Sequence, residues 1–315
     1  MSGRGEAYTA LSGCLREHFG MRVWRVAVSR HKECPNRMGG REGCIFCLPA
    51  AYEPAAALTA GSVREQLERG IARYRARGVA EGFVAYLQSG SNTYGSVEEL
   101  RAVYLEALAV RGVVALSIAT RPDCLPADVL SMLDELSGAY HIWVELGIQS
   151  MHERTLKALD RGHSAECSAQ AIRALMGTRV QHIVAHMILG LPGETIEDMH
   201  ASMREVCMLR KERGEGAFPR LGLKLHHLQV MRGTRLEAAW RAGEVEVMDL
   251  DEYARVVVEV LERVPRDVVI HRLCGEAARE YLCAPIWPGD RLAHVARIRD
   301  EFRVRGTWQG RLSVE

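Results

Sequence analysis

Apolar and amphipathic segments alternate along most of this chain, and that alternation restricts its possible folds more than any other feature. The apolar segments are residues 23–29, 82–88, 113–119, 142–149, 183–189 and 221–230. Segment 82–88 is apolar without a two-residue alternation, which is typical of a strand buried on both faces of a parallel sheet. Helical patterns follow the strands, so six strand–helix repeats predict a parallel sheet with right-handed crossovers.

Local signals mark the starts of several helices. Ser62 and Ser96 are each followed by a glutamate three residues later, which is the pattern of a capping box. Pro126 fits the start of a helix because its missing N–H costs nothing there, and Thr195 can cap another helix. The predicted helices cover about residues 62–78, 96–110, 126–136, 154–177 and 195–213.

The pattern changes after Thr234. Two helices at about 235–242 and 249–263, a short strand at 268–273 and a basic tail are expected there. The length of 315 residues suits an α/β barrel, which often reaches this size as one unit. We therefore predict an α/β fold, a partial (β/α)6 TIM-type barrel with a C-terminal α+β extension. The expected divisions are an N-terminal segment at 1–21, the barrel at 22–234, and an extension at 235–315 packed on the barrel.

Three cysteines with the spacing of metal ligands follow the first strand. Cys34, Cys44 and Cys47 form the pattern C-x9-C-x2-C in a loop of glycines and charged residues. Three thiolates and an external ligand suit a [4Fe–4S] cluster with one open iron. A Cys3His zinc site with His31 is the alternative, although zinc sites usually use paired C-x2-C units. Unrelated thiols are a third interpretation.

Polar and glycine-rich loops follow the strands, and the cysteine loop is one of them. In parallel α/β barrels this edge is where functional sites are built. Glu145 stands inside an apolar strand. A buried carboxylate is costly without a partner, so Glu145 is either a paired charge or a ligand-binding residue. Thr120 and Arg121 close the third strand at the same edge, where Arg121 could also cap the following helix.

Composition limits the location and the partners of the protein. The N-terminus has no apolar signal region, and no run approaches the roughly 18–20 apolar residues that cross a bilayer. We therefore expect a cytoplasmic protein with reduced thiols and no membrane partner. The formal net charge is +1, so nucleic-acid contact would need a local basic patch. No DNA partner is expected.

With these motifs the chain resembles the radical S-adenosylmethionine (SAM) superfamily, in which an aromatic residue, here Phe46, precedes the last of three cluster cysteines. The C-x9-C-x2-C spacing resembles the branch that includes the radical-SAM subunit of Elongator. A small bacterial family of Elongator-like radical SAM proteins is similar from about residue 22 to residue 287. The segments that carry the resemblance are residues 34–37, 91–94, 119–123, 143–149, 161–163, 190–195 and 269–273.

The resemblance implies two cofactors, a [4Fe–4S] cluster and SAM, and an electron donor such as flavodoxin or ferredoxin. SAM would be cleaved reductively to a 5′-deoxyadenosyl radical that takes a hydrogen atom from the substrate. Cys34, Cys44 and Cys47 would bind iron. The implied SAM-binding residues are Phe46 near the adenine, Ser91 and Asn92 near the amino group, Gln149 and Arg161 at the ribose and carboxylate, and Gly190, Leu191 and Pro192 beside the adenine. Thr120, Arg121 and Glu145 are further candidates at the same face.

The substrate is less constrained than the cofactors. The resemblance points to a tRNA wobble uridine, with processing of a carboxymethylaminomethyl side chain to the aminomethyl form. The alternatives are radical chemistry on a small metabolite or protein side chain, and a non-catalytic regulatory protein that binds the cluster and SAM. Candidate catalytic or substrate-binding residues are Glu145, His226, His227, His271, Arg272 and Cys274, each of which could also be a core residue. Candidate tRNA contacts are Arg22, Arg25, Arg30, Lys32, Arg232, Arg235 and the tail 297–311.

Overall fold

A computed structural model of the chain describes residues 6–54, 57, 61–210 and 220–313. The strands in these residues are β1 Val23–Val28, β2 Gly82–Leu87, β3 Val113–Thr120, β4 Ile142–Gln149, β5 His182–Leu189, β6 Arg220–His227, β7 Val230–Met231, β8 Val269–Arg272 and β9 Leu282–Ala284. The α-helices are α1 Leu11–Phe19, α2 Val63–Arg75, α3 Val97–Leu108, α4 Ala127–Ser137, α5 Glu153–Ala158, α6 Ala165–Met176, α7 Ile196–Met208, α8 Arg235–Arg241, α9 Leu250–Leu261 and α10 Arg291–Arg305.

The main sheet is an open half-barrel of seven parallel strands in the order β1-β2-β3-β4-β5-β6-β8. The predicted partial barrel is therefore confirmed. Its seventh strand, β8, comes from the segment assigned to the extension, and it pairs with β6 because its residues Val269 and Ile270 bury their side chains in the core. The division of the chain at residue 234 stays a prediction.

Two predicted elements are broken in the structure. The segment 221–230 ends as a parallel strand at His227, and β7 then pairs antiparallel with β9 in a separate two-stranded sheet. The helical segment 154–177 is split into α5 and α6. Asp160 and Gly162, in the break, have φ angles of 49° and 75°, a left-handed conformation that no helix contains. That break forms a loop that carries a site residue.

Side-chain caps begin the helices where the sequence predicts them. Ser62 and Thr195 form complete capping boxes at α2 and α7, and the Ser96 hydroxyl accepts a hydrogen bond from the Glu99 amide at α3. The basic tail is in part a regular helix, α10, in which Arg297 pairs with Asp251.

Strand register decides which side chains face the inside of the half-barrel. On β4, Trp143 pairs with His182 and Gly147 pairs with His186, so alternate residues on these strands point inward. At the amino ends of the strands, Leu11 and Leu15 of α1 pack with Trp143 in one apolar cluster. The inward-facing residues near the carboxyl ends are thereby left to form the site.

Among the residues that the structure describes, none of the helices has the length and apolar character of a membrane-spanning segment.

Candidate active site

A cavity of about 610 Å³ lies at the carboxyl ends of the strands. The residues of its wall that the sequence singles out are Cys34, Cys44, Phe46, Cys47, Ser91, Thr120, Arg121, Glu145, Gln149, Arg161, His226, His227 and Arg272. The structure also describes Asn92, Gly190, Leu191, Pro192, His271 and Cys274, and it places these outside the wall. Side chains from the cysteine loop and from β2, β3, β4, β5, β6 and β8 thus converge on one space.

The cysteine loop is held in place from two sides. The Ile45 amide donates to the Leu159 carbonyl (3.1 Å), just before the break between α5 and α6. The Leu236 amide, in the first turn of α8, donates to the Ile45 carbonyl (3.0 Å). Arg235 also binds the loop directly, through an ion pair to the Glu42 carboxylate (3.3 Å) and a hydrogen bond to the Gly43 carbonyl (2.5 Å), and it pairs with Asp160 (2.5 Å). The cysteine loop is therefore held by residues more than 100 positions further along the chain, at the break between α5 and α6 and at the start of α8.

Asn36 lies buried within the cysteine loop. The sequence alone does not assign it a role. Its side-chain amide donates to the Asp160 carbonyl (2.8 Å) and contacts the Cys44 sulfur (3.5 Å). Gly162 permits this approach, because a Cβ atom there would collide with the Asn36 side chain. The one sequence signal for this role is that Asn36 belongs to segment 34–37, which carries part of the family resemblance.

The electrostatics of the loop show that the three thiols are close neighbours. Burial, and then the thiols of Cys44 and Cys34, raise the pKa of Cys47 to about 11, against the opposing charges of Arg37 and Arg161. Thiolates packed together in this way need a cationic partner or a metal to be stable.

The geometry does not favour the zinc alternative. Among the residues that the structure describes, no three His, Cys, Asp or Glu side chains form a group that could hold a single metal ion. His31 instead contacts Glu53 (Nδ1 to Oε1, 3.3 Å). A four-iron cluster binds each cysteine at a different iron, so its ligands need not converge on one point.

Phe46 forms the apolar side of the site. It packs against a buried cluster that includes Leu159, Ile188 and Leu191. Leu191 is therefore next to the site although it lies outside the cavity wall. Gly190 faces away from the cavity, since a Cβ atom there would lie 3.1 Å from the Met248 side chain. Leu191 is thus the residue of the 190–192 loop that belongs to the apolar cluster packed against Phe46.

Gln149 and Arg161 present buried polar atoms without partners. Arg161 donates to the Gly147 carbonyl and contacts the Cys44 sulfur (3.5 Å), but its Nε has no hydrogen-bond partner among the described residues. Gln149, at the end of β4, has a φ angle of 75° and a buried Oε1 that likewise lacks a partner in the described ranges. An unsatisfied buried polar atom costs about 1–3 kcal/mol, so a ligand that paired with these atoms would be stabilised by them.

Asn92 has a structural task in this structure. Its side-chain amide donates to the carbonyls of Leu87 (3.0 Å), Ser89 (3.2 Å) and Ala119 (2.9 Å). It thereby fixes the loop after β2 against the end of β3, and it positions the neighbouring Ser91 in the cavity wall.

Thr120 and Arg121 end β3 at the cavity. The Thr120 hydroxyl contacts the Thr93 hydroxyl (2.5 Å). Arg121 binds both carboxylate oxygens of Asp123 (2.8 and 2.7 Å) rather than capping a helix. Burial would raise the pKa of Asp123, but the bonds from Arg121 outweigh it and lower that pKa. One amino group of Arg121, Nη1, is buried and unpaired within the described chain.

Glu145 lies at the floor of the cavity in a network of four donors and acceptors. The Lys224 ammonium, on β6, donates to its carboxylate (2.8 Å) and to the Tyr86 hydroxyl (2.7 Å). Arg25 (3.2 Å) and the Ser117 hydroxyl (3.0 Å) also donate to the carboxylate. The register makes this possible, because these residues all face inward on neighbouring strands. Sequence reasoning missed Lys224, although a lysine inside a strand is the same signal that marked Glu145.

Positive charge predominates around this network. Burial would raise the pKa of Glu145, but Lys224 and Arg25 outweigh it and hold that pKa well below its usual value. Burial lowers the pKa of Lys224 to about 8, with Arg272 and Arg25 adding to the effect and Glu145 opposing it. Apart from burial, the two pKa shifts have the same cause, which is that cations outnumber anions around Glu145 and Lys224.

The candidate histidines and Cys274 occupy different layers. His226 is in the cavity wall beside His186, with their ring centres 4.1 Å apart. His271 lies deeper, where its ring is 5.7 Å from the Trp143 ring. Cys274 is fully buried in the main apolar core. The structure therefore brings His226 to the site and keeps His271 and Cys274 away from it.

Several basic residues considered for tRNA contact are already paired. Arg25 is bound to Glu145 and Arg235 to the cysteine loop. Arg30 donates to the Asn92 carbonyl (2.9 Å). Lys32 lies at the cavity wall, 3.8 Å from Glu99 and half exposed. Of these four side chains, Lys32 is the one whose charge faces both solvent and cavity.

Two family models and several known proteins match this chain over most of its length. The model of the Radical SAM superfamily matches residues 33–206, and that of the Radical_SAM C-terminal domain matches residues 221–303. YtqA of Bacillus subtilis is 33% identical over 96% of this chain and 92% of its own length. Protein YhcC of Escherichia coli K12 is 33% identical over 95% of this chain and 94% of its own length.

More distant similarity extends to Elongator-type proteins. A tRNA uridine(34) acetyltransferase of Methanocaldococcus infernus is 30% identical over 51% of this chain and 28% of its own length. The solved structure of M. infernus Elp3 with an N-terminal deletion superposes with a TM-score of 0.68 at 19% identity, covering 91% of this chain and 64% of that one. This last similarity establishes the fold alone.

Proposed function

This chain belongs to the radical SAM superfamily of enzymes, and we propose that it modifies the wobble uridine of a tRNA. Members of the superfamily use a [4Fe–4S] cluster and SAM, and they need a reductant. We propose flavodoxin or ferredoxin as that reductant. The proposed reaction converts a carboxymethylaminomethyl side chain on the uridine into the aminomethyl form.

The residues in the cavity suit both cofactors. Cys34, Cys44 and Cys47 would hold the cluster, because three thiolates leave one iron for an external ligand. SAM carries carboxylate, amino and hydroxyl groups, which would satisfy the unpartnered atoms of Gln149 and Arg161. A three-cysteine loop and unsatisfied polar atoms in one cavity are the observation that carries the proposal.

The protein would bind and orient these groups. When bound, the cluster and SAM supply a 5′-deoxyadenosyl radical, which takes a hydrogen atom from the substrate. The guanidinium of Arg161 would bind the SAM carboxylate through paired hydrogen bonds. Phe46 would pack on the adenine, with Leu191 supporting it from the apolar cluster. The roles of Ser91, Thr120 and Arg121 are contacts to SAM from the β2 and β3 ends of the wall.

The tRNA substrate is supported by similarity to proteins whose names state an action on tRNA uridine(34). That similarity covers a minor part of those proteins, so it supports the nucleoside more than the reaction. The proposed net change balances because SAM is the oxidant: its reduction to methionine and 5′-deoxyadenosine takes up the two electrons lost when the N–CH2 group becomes an imine, which one water then hydrolyses. The carboxymethylaminomethyl side chain, SAM and one water would give the aminomethyl side chain, glyoxylate, methionine and 5′-deoxyadenosine. The uridine would have to leave its stack to enter the cavity, which is easiest in an anticodon loop.

Nucleoside mass spectrometry tests this function. In tRNA from a strain that lacks the gene, carboxymethylaminomethyl uridine should accumulate and the aminomethyl form should disappear. The reconstituted enzyme should release glyoxylate and 5′-deoxyadenosine in equal amounts from the accumulated tRNA, and the Cys44→Ala variant should release neither. An unchanged modification profile would contradict the tRNA assignment.

A small metabolite is the second candidate substrate. The cavity volume of about 610 Å³ falls in the range of small-molecule pockets, about 300–1,000 Å³. If the substrate is a metabolite, cell extract freed of RNA should stimulate release of 5′-deoxyadenosine, whereas purified tRNA should not.

A further inference from the structure

The cavity has two unlike halves. The unpartnered atoms of Gln149, at the end of β4, and of Arg161, in the loop between α5 and α6, suit SAM and lie on the side of the cysteine loop. The opposite half of the wall is built by β5, β6 and β8, which contribute His186, Lys224 and Arg272. None of these three residues is needed to hold the cysteine loop, so their chemistry remains to be explained.

This second half carries an uncompensated positive charge. Three cations, Arg25, Lys224 and Arg272, surround one carboxylate, that of Glu145, which leaves a net charge of +2. Glu276, also in the wall, is exposed and bound to Arg291 (3.1 Å), so it does not neutralise the group.

Arg272 is the cation without a partner. Its side chain forms no hydrogen bond or ion pair with any residue in the described part of the chain, although its backbone pairs with Lys224 in the sheet. Burial and then the nearby charge of Arg25 lower the pKa of Arg272, while Tyr86 and Glu145 oppose the shift. The Arg272 side chain is partly exposed in the cavity wall, and a guanidinium with free donors is ready to bind a planar carboxylate.

Two half-buried histidines add to this side of the cavity. His226 and His186 are in the wall, and the Nε2 atom of each has no partner among the described residues. Burial lowers the pKa of both imidazoles well below the usual value, so both are neutral near pH 7. A neutral imidazole has one N–H donor. These atoms could hydrogen-bond an anion or the groups next to it.

We infer that the wall formed by Lys224, His226 and Arg272 binds the carboxylate of the substrate, which in the proposed function is the carboxymethyl end of the uridine side chain. The inference rests on the proposed function for the identity of that substrate. SAM also carries a carboxylate, but Arg161 beside Cys44 is placed to bind it. The wall would therefore distinguish substrates by charge.

Arg272 is the residue to test because its replacement leaves no other buried group without a partner. Lys224 bonds to Glu145, so its removal would leave a buried carboxylate short of a cation, whereas Arg272 has no such partner. Arg272→Gln removes the charge and keeps a polar side chain. Arg204→Gln, on the exposed face of α7, removes the same charge far from the cavity and is the matched control.

The experiment compares two nucleosides on the reconstituted, SAM-bound enzyme by anaerobic calorimetry. One is 5-carboxymethylaminomethyluridine, and the other is the same compound with its carboxylate converted to an amide. The native enzyme and Arg204→Gln should bind the carboxylate about 10- to 100-fold more tightly than the amide, as expected for a hydrogen bond between charged groups. Arg272→Gln should bind both with nearly equal, weak affinity and should keep the native affinity for SAM.

Two results would overturn the inference. In one, Arg272→Gln keeps the native preference for the carboxylate. In the other, Arg272→Gln loses affinity for SAM while its preference between the nucleosides is unchanged, which would assign the wall to the SAM carboxylate.

A third probe separates this inference from the proposed function. N-methylglycine carries the same carboxymethylamino group without a nucleoside. If the native enzyme neither binds nor modifies the uridine substrates, but N-methylglycine raises its Tm and not that of Arg272→Gln, the carboxylate site is supported and the tRNA function is wrong. If N-methylglycine also has no effect, both are wrong. Turnover of tRNA that is equal in the native enzyme and Arg272→Gln would overturn the carboxylate site and support the function.

Discussion

Replacing Lys224 by methionine tests whether the buried ion pair at the cavity floor stabilises the fold. The change keeps a side chain of similar length but leaves the Glu145 carboxylate, 2% exposed, without its nearest cation. Arg25 at 3.2 Å and the Ser117 hydroxyl at 3.0 Å would still donate to that carboxylate. Removal of one partner from a buried pair costs about 3–5 kcal/mol, and we expect about 3 kcal/mol because two donors remain.

Thermal unfolding of the anaerobically reconstituted enzyme measures this cost. In large domains a loss of 1 kcal/mol lowers Tm by about 2 °C, so Lys224→Met should unfold about 6 °C below the native enzyme. The double variant Glu145→Gln/Lys224→Met removes both charges. It should recover most of the loss, because replacing both members of a buried pair by neutral groups is often nearly neutral.

The matched control is Lys157→Met, which replaces an exposed lysine on α5 and should leave Tm unchanged. A Lys224→Met enzyme with the native Tm would refute the reasoning. A double variant no more stable than the single one would also refute it, since the loss would then come from packing and not from an orphaned charge.

The other predictions concern the cysteine loop, the SAM site, pH and one glycine. Cys44→Ala should fail to reconstitute the iron–sulfur absorbance, whereas Cys207→Ala, a buried thiol in α7, should reconstitute normally; equal spectra would contradict the ligand assignment. Arg161→Lys should keep the cluster but weaken SAM binding about tenfold, measured by the SAM-induced change in the cluster's electron paramagnetic resonance, because a lysine cannot make the paired bonds of the guanidinium. The low pKa of Glu145 means that its stabilising contribution is complete above its unfolded pKa of about 4.3 and is lost as pH falls below that value. Glu145→Gln should therefore flatten the fall of Tm with acid, and parallel curves for the two proteins would argue against this contribution. Gly162→Ala should destabilise by about 1 kcal/mol or more because its φ is 75°, with a native Tm as the contrary result.

Much of the fold follows from local patterns. The parallel strands were predictable because their apolar runs have the length and composition of buried strands. The helix starts were predictable because a capping side chain and its amide partner lie within three residues, as at Ser62 and Thr195. The break between α5 and α6 was missed, because the composition of residues 159–164 does not exclude a helix. What excludes it is the left-handed backbone of Asp160 and Gly162, which lets the loop bind Asn36.

The candidate site, like the fold, depends partly on local sequence patterns and partly on the folded structure. The sequence alone indicated the three cysteines and the cluster chemistry that they would support, because metal ligands must have particular types and a spacing that is visible in one short loop. It also determined that a carboxylate at Glu145 needed an explanation. The folded chain was needed to show that Lys224 is the partner of Glu145, that the Arg272 side chain has none among the described residues, and that His271 and Cys274 lie outside the cavity wall. Those facts depend on strand register and on the curvature of the sheet, which bring residues from β4, β6 and β8 together across more than a hundred positions of chain. No local pattern encodes that proximity, because it results from the packing of the whole half-barrel.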